Sequence, residues 1–550
     1  MSAAVCLLLA CLLLLFPGCA ARREAFDVVV YGATPSGICA ATAAARAGVR
    51  VALVEPMPLV GGMMSSGLSF SDSNQCDRRT LGGLFEEVHR RIEADYRRRG
   101  VTLPYDVSVK DHRSWTYEPH VAERVFNEML RDAGVGVFLE HPVDAVTKRG
   151  NRIERMTAGL REFDARIFID ASYEGDLMAA AGVSYTVGRE GRQRYGESLA
   201  GHQFPKPTLP FSPRDEGGRL LPLMTGETAG DDRGDGKLMT YSWRLCMTRD
   251  PKNRIPIAKP QTYDPDRFEL ARRLFQHAKD PSVVGLDLYP IPGNKVDVNN
   301  GIARQLSMGL VGASWDWPDA TPAARQRIWA AHKDYALELI WFLKTDPAVP
   351  DKVRAALSEY GLAKDEFTST SHWPPALYVR EARRMIGEHV LTQADVLTTV
   401  TKEDSIGIGS FPIDSHDCQR VATPDGGWVN EGTILPVHVP GTNYGQPHQL
   451  PYRALLPRRG ECDNLLVPVC LSASHVAMSS VRVEPTWMVI GHAAGVAAAM
   501  AVEVRSSAHD VRVEELQKRL RDADQVLDIR PEHLPSDARD RRPSQALLAQ

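Results

Sequence analysis

The 550-residue sequence has no cysteine pair at C-x-x-C spacing, no His-x-x-x-His and no excess of basic charge. The first two absences exclude a zinc ribbon and the common helical metal site, so no metal ligand set is expected. The third excludes nucleic acid as a partner, because 65 Lys and Arg stand against 69 Asp and Glu and the formal net charge is -4. No Ser-His-Asp order can be recognised either, which disfavours a hydrolase. The nine cysteines are dispersed: Cys6, Cys11 and Cys19 lie near the start, and Cys39, Cys76, Cys246, Cys418, Cys462 and Cys470 give no disulfide framework. An exported chain could close one or two bridges with them; the alternative is that they are small buried hydrophobes.

What is present is an ordinary globular composition, 43% hydrophobic and 24% charged, in a chain longer than one core can serve. Two domains, or one domain with a large insertion, are expected. The N-terminal apolar run from Ala3 to Phe16 is too short to span a bilayer and suits the h-region of a signal peptide, assigned to residues 1–21. The paired Arg22 and Arg23 follow the run, where a twin-arginine signal does not place them. Phe16-Pro17-Gly18-Cys19 resembles a lipoprotein box, so two outcomes stay open: lipidation at Cys19 with a membrane anchor, or cleavage near Ala20 or Ala21 and release. Either way the expected location is outside the cytoplasm, as a periplasmic, secreted or lipid-anchored protein.

The most informative stretch is "VVVYGATPSGICAA", Val28 to Ala41. A β-branched run leads into Gly32, then Gly37, then an alanine-rich helix stopped at Gly48, and a second strand, Val49 to Val54, ends on Glu55. Strand, glycine turn, helix and an acidic residue some twenty positions on are the parts of a dinucleotide-binding unit. Gly32 permits the turn, Gly37 lets the helix lie close to the strand, and Pro35 suits the first helical turn. The amides of that turn face a pyrophosphate, and Glu55 accepts from the ribose hydroxyls of an adenosine. Thr34 stands where a glycine is usual and must turn its side chain away or donate it to phosphate.

A nicotinamide enzyme and a flavin enzyme share this beginning. Three further stretches favour flavin: "PMPLVGGMMSSGLS" with Gly61, Gly62, Ser65 and Ser66, "RIFIDASYEGDLMAAAGV" with Ala171, Ser172 and Asp176, and "SSVRVEPTWMVIGHAAGVAAAMA" with Gly491, Ala494 and Gly495. Together with "IPGNKVDVNN", "WPPALYVREARRM" and "DSIGIGSFPIDSHDCQR", they resemble the FAD-dependent oxidoreductases of the glutathione-reductase-like fold, close to the fumarate-reductase and heterodisulfide-reductase flavoproteins. The resemblance covers about residues 26–528, and some members of that family carry the label xanthan lyase. It implies FAD as cofactor, with Gly32, Ala33, Thr34, Pro35, Ser36 and Gly37 around the pyrophosphate and Glu55 at the ribose. It also implies Gly61, Gly62 and Met63 at the inner cofactor, Val143 at the adenine, and a helix beginning near Gly491 aimed at the flavin pyrimidine.

The expected fold class is α/β, a Rossmann-like FAD-binding domain with a mostly parallel three-layer sheet and a large α+β insertion. Its parts are residues 26–200, a substrate or cap region at 201–440, a return segment at 441–505, and a C-terminal helix and tail at 506–550. In the insertion, Ile328, Ala331, Tyr335, Leu339 and Phe342 recur at helical spacing, expected as core rather than cofactor contacts, and a second helix is expected over 350–360. The segment 214–237 is expected as an exposed loop.

Flavin-dependent dehydrogenation needs a group to take a proton from the substrate. His416 and His475 are candidates by residue type, each with a structural hydrogen bond as the alternative. Arg380, Glu381 and Arg383, expected on a helix, either bind an anionic or polyol substrate or form a buried ion-pair network. Arg482 is a further candidate, expected to pair with Glu484 across an extended segment, and Asn294, Lys295, Asp297 and Asn299 form a polar cluster in the insertion. The expected function is hydride transfer between flavin and a small polar substrate, a sugar or glycan-derived alcohol, with an electron acceptor that the sequence does not identify. The alternatives are a nicotinamide-only dehydrogenase and a non-redox flavin-binding or carbohydrate-binding protein or lyase on the same fold.

Overall fold

The computed structural model describes residues 22–530 apart from 104–114, 231, 279–280 and 303. The leader, with Cys19, and the tail beyond residue 530 lie outside the described residues.

Strand β1 (Val28–Tyr31) is wholly buried and feeds α1 (Pro35–Arg46), and β2 (Val51–Val54) follows. Helices α2 (Gly83–Arg98) and α3 (Pro119–Ala133) come next, then β3 (Gly136–Phe138) and β4 (Ile167–Asp170). The insertion contributes β5 (Leu245–Thr248), β6 (Arg254–Pro256), β7 (Asp287–Ile291), β8 (Lys295–Asn299), helix α4 (Pro322–Thr345) and β9 (Gly361–Ala363). The chain then returns with β10 (Leu465–Leu466), α5 (His475–Val481) and α6 (Glu484–Val504).

The central sheet has the order β10-β4-β1-β2-β3, and every pair in it is parallel. Near-continuous Val, Ile and Leu is the composition expected of strands covered on both faces. The switch point sits at β1: Tyr31 is in register with Val54 on one side and Asp170 on the other, so the loops after β1, β2 and β4 open at one edge. In the insertion a five-stranded sheet, β6-β9-β5-β8-β7, is antiparallel throughout and packs with α4 around a second core rich in Trp243, Trp373, Tyr335 and Phe342.

Helix α6 is apolar and long enough to cross a membrane, yet 89% of its apolar window is buried in the protein, which makes it a core helix. Its glycines allow this. A Cβ on Gly491 would fall on the Ser36 carbonyl, and one on Gly495 on the Ala40 carbonyl, so α6 and α1 approach backbone to backbone. This corrects one expectation: α6 begins at Glu484, and Gly491 lies two turns inside it as a packing residue.

Within α4, Tyr335, Leu339 and Phe342 are core as expected, while Ile328 is half-buried and Ala331 exposed, because the buried stripe runs through His332 and Ala336. The second helix forms over Asp351–Ser358. Among the described residues the six cysteines are all free and buried.

Candidate active site

The crevice at the switch point is built by the turn after β1. Gly32 has φ +96°, and a Cβ there would meet the Ala171–Ser172 backbone, so only glycine lets β1 and β4 release their loops side by side. Thr34 caps α1: its Oγ1 accepts from the Gly37 N–H at 3.2 Å and donates to the Ala171 carbonyl at 2.8 Å. Its side chain therefore turns away from the crevice, as a non-glycine at this place must. Glu55, at the end of β2, accepts from the N–H groups of Ala33 and Met57. Burial pushes its carboxyl up to about 8 against the pull of those two amides.

A cavity of about 620 Å³ opens here, with Gly32, Thr34, Glu55, Gly62, Val143, Ser172 and Asp176 among its lining. Ala33, Pro35, Ser36, Gly37, Gly61, Met63, Ala171, Gly491 and Ala494 stand behind that lining rather than in it. Besides Thr34 and Glu55, three of the lining groups are already engaged. The Val143 N–H donates to the Tyr31 hydroxyl at 3.1 Å, so it is not free for an adenine. Asp176 is clamped by Arg325 of α4 and by Arg383, and the two guanidiniums hold its carboxyl below the usual range against its burial. Ser172 donates its hydroxyl to Asp170 at 2.6 Å.

Beyond this cavity the Gly61–Gly62 turn, with φ of +105° and +48°, brings the Met63 N–H to the Tyr173 hydroxyl at 2.9 Å, and that hydroxyl in turn donates to Glu484 at the start of α6. Between the first turn of α1 and the first turn of α6, Ser36 Oγ, Ser65 Oγ, Ser66 Oγ, Glu484 Oε2, Thr486 Oγ1 and Trp487 Nε1 are buried without a protein partner. Orphaned polar atoms are rare in native interiors and call for a ligand or water. Six of them, on α1, α6 and the turn after β2, beside a glycine cradle and a carboxylate at the end of β2, fit a long ligand that carries phosphates, hydroxyls and a polar ring and would take its route past them. The residues present therefore fit FAD.

Next to this route lies a buried charged cluster. His416 follows the strand Ile413–Ser415; its Nδ1 is 3.2 Å from Asn300 Nδ2 and its Nε2 is 3.7 Å from Asp414 Oδ1. Burial, reinforced by the cations Arg380, Arg482, Lys206 and Arg244, holds its imidazole well below the usual value, so it is neutral. Burial raises the Asp414 carboxyl, with Arg482 and Arg380 opposing. Arg482 donates to the Asp414 carbonyl at 2.8 Å and to its carboxylate at 3.2 Å. The expected Arg482–Glu484 pair does not form, because the chain turns into α6 between them and Glu484 faces Tyr173.

Arg380, Glu381 and Arg383 are not on a helix: the segment is extended, so neighbouring side chains diverge. Arg383 points to Asp176 and Asp319, whereas Arg380, 1% exposed, points inward to Thr240, Ser242 and Asn300 beneath the ring of Tyr378. Burial brings the Arg380 guanidinium down to about 9. His475 opens α5, with its Nδ1 2.8 Å from Glu381 and its Nε2 3.4 Å from Ser415 Oγ, and is 3% exposed. Both ring nitrogens are engaged inside the fold, which is the arrangement of a structural histidine.

Of the polar cluster in the insertion, Asp297 pairs with Arg244 and accepts from the Ser69 and Phe70 amides, while Lys295 sits among Glu118, Asp365 and Glu366. Glu118, His120 and Glu366 converge at metal-ligand distance, but the Lys295 ammonium lies 2.8 Å from Glu118 and 2.6 Å from Glu366. A fixed cation thus already serves these carboxylates. Sequence reasoning missed Asp72, Asn300, Tyr378 and Asp414; Asn300, Tyr378 and Asp414 lie inside motifs already singled out, two residues or fewer from a named candidate.

A search of the curated proteins finds no significant match. Solved structures that match include the OxyS anhydrotetracycline hydroxylase from Streptomyces rimosus, at 13% identity and TM-score 0.23 over 34% of this chain and 43% of that one. L-proline dehydrogenase from P. horikoshii matches at 14% identity and TM-score 0.23 over 31% and 59%. The chain therefore spans less than two thirds of the length of these two. A geranylgeranyl bacteriochlorophyll reductase-like protein from Thermoplasma acidophilum matches at 12% identity and TM-score 0.35 over 91% and 84%. The family model described as FAD dependent oxidoreductase matches residues 27–520, nearly the whole chain, and the protein belongs to that family of FAD-dependent enzymes.

Proposed function

We propose that this FAD-dependent oxidoreductase oxidises an alcohol carbon of a small polar substrate, a sugar or glycan-derived alcohol. The observation that carries the proposal is the inner cluster. Asp414 and His416, with side chains 11% exposed, are framed by Asp72, Asn300, Tyr378, Arg380 and Arg482, so this cluster offers hydrogen-bonding rather than apolar groups. A hydroxylated substrate matches such a surface, since every unmatched buried donor or acceptor is costly. FAD, when bound, accepts hydride and with it both electrons of the broken C–H bond. Gly32, the first turn of α1, Glu55 and the Gly62 backbone are the groups that would hold it. The chain itself supplies orientation, exclusion of water by the insertion, and a place for the proton.

The test is the visible spectrum of the purified protein, taken anaerobically while sugars, sugar alcohols and uronic acids are added one at a time. Bleaching of the flavin band by one of them, and not by amino acids, is expected. Bound flavin that no hydroxylated compound bleaches would overturn the substrate class.

A further inference from the structure

The inner cluster holds two groups able to handle a proton, Asp414 and His416, with the imidazole Nε2 3.7 Å from the carboxylate, and the hydrogen bonds behind them decide which takes it. Asn300, 2% exposed, lies with Nδ2 3.2 Å from His416 Nδ1. Which end of its amide faces the imidazole is set from behind, because Arg380 Nη2 lies 2.8 Å from Asn300 Oδ1 and a guanidinium can only donate. Arg380 is itself fixed: Nη2 also donates to Ser242 Oγ at 2.8 Å, Nη1 donates to the Thr240 carbonyl at 2.7 Å, and the plane lies 4.3 Å from the centre of the Tyr378 ring. The Asn300 amide nitrogen therefore faces His416, and it too can only donate. Nδ1 must accept, and the single proton of the neutral ring sits on Nε2. Adding a proton at Nδ1 would set one N–H against another, and the cations Arg380, Arg482, Lys206 and Arg244 oppose it, although the last three are paired with Asp414, Asp417 and Asp297 and Asp72 lies among them.

We propose that Asn300, held by Arg380, is a positioning residue that locks His416 as its neutral Nε2–H tautomer, so that His416 only donates a hydrogen bond and Asp414 takes the substrate proton. A neutral imidazole serving as donor to a carbonyl oxygen is a known catalytic role. The step balances as follows. The substrate O–H bond breaks and its proton goes to the Asp414 carboxylate. The electron pair left on oxygen becomes the second bond of the carbonyl, while the hydrogen on carbon leaves as hydride to the oxidant named above. The carbonyl oxygen receives the His416 Nε2–H. The role given to Asp414 rests on the alcohol oxidation proposed above; the tautomer of His416 does not.

The test is nitrogen NMR of the FAD-loaded protein labelled with ¹⁵N-histidine, the His416 signals being those lost in His416→Gln. The expected wild-type pattern is a bare Nδ1 and a protonated Nε2, unchanged between pH 5 and pH 9. A protonated Nδ1, or a titration inside that range, would overturn the lock. Asn300→Asp offers acceptors to both Arg380 and His416, so Nδ1 is expected to gain a proton. If that variant loses flavin and folding, Asn300→Ser, whose hydroxyl can donate or accept, is expected to give a mixture of tautomers. An unchanged pattern in a folded variant would show that Asn300 sets nothing. Asp414→Asn is expected to slow bleaching by the active sugar about 100-fold or more with the tautomer intact. A full rate there would overturn Asp414 as acceptor, and failure of every sugar would overturn the substrate proposal while leaving the NMR result standing.

Discussion

The cofactor crevice and the charged cluster beside it are built on opposite plans. The crevice is made by small residues and backbone, with α6 laid on α1 through Gly491 and Gly495, and it leaves six polar atoms unserved. The cluster is made by long charged side chains, nearly all engaged: Arg244 with Asp297, Arg384 with Glu190 and Glu381, Arg482 with Asp414, Arg380 with three oxygens. One region is unfinished until a ligand arrives; the other is largely finished in advance, with Arg380 Nε and Arg482 Nε left over. The difference teaches where perturbation should appear, in ligand affinity for the first and in folding stability for the second.

The largest effect is expected in the finished region. Arg244→Met leaves Asp297 buried with two amide donors but no cation, and breaking a buried pair in this way costs about 3–5 kcal/mol. A denaturant midpoint that barely moves would break the contrast. Next comes the seam shared by the two regions. Gly491→Ala forces a methyl onto the Ser36 carbonyl, and overpacking of this kind costs about 1–3 kcal/mol, read as a lower melting temperature with flavin loss.

Glu55→Gln is expected to leave apo stability at neutral pH almost unchanged and to weaken FAD binding by about 1.5–3 kcal/mol, the worth of hydrogen bonds to a charged acceptor. The pH dependence sharpens this. The Glu55 pKa is raised in the folded chain, from 4.5 to about 8, so its contribution to stability is full below pH 4.5 and is lost as pH rises through about 8. Ribose hydroxyls favour the ionised form, so FAD should tighten by up to about tenfold per pH unit below 8 and level off above it; calorimetric titration of the apoprotein should find that slope, and find it absent in Glu55→Gln. The smallest effect is expected at a control pair on the surface: Lys518→Ala, which removes the exposed partner of Asp522, should change stability by less than about 0.5 kcal/mol.

How far these regions could be read in advance follows the same contrast. The crevice was legible because its constraints are local: a glycine at a left-handed φ, a helix opening on proline and a carboxylate at a strand end all lie within residues 28–55. The parallel sheet followed from the same unit. The cluster was legible only as residue types, since Asn300, Arg380 and His416 meet through three separate excursions of the chain. Periodicity could not show that residues 378–383 run extended, because burial of their arginines by distant partners overrides the helical look of "YVREARR". Nor could spacing show that Arg482 turns to Asp414 rather than to Glu484, a choice made by the entry into α6.

The closeness of α1 and α6 has a consequence in time. Helix α1 is finished at Arg46, but the helix that covers it begins at Glu484, more than four hundred residues later, and β10 joins the sheet only at Leu465. At about 5–20 residues per second a ribosome needs roughly twenty seconds to a minute and a half to make the difference. For that interval α1 has an open helix groove and the outer edge of β4 stays unpaired, and any chain interrupted before residue 484 never closes the groove. Residues 465–504 are thus the clasp of the fold, completing the sheet and sealing the helix groove only late in synthesis.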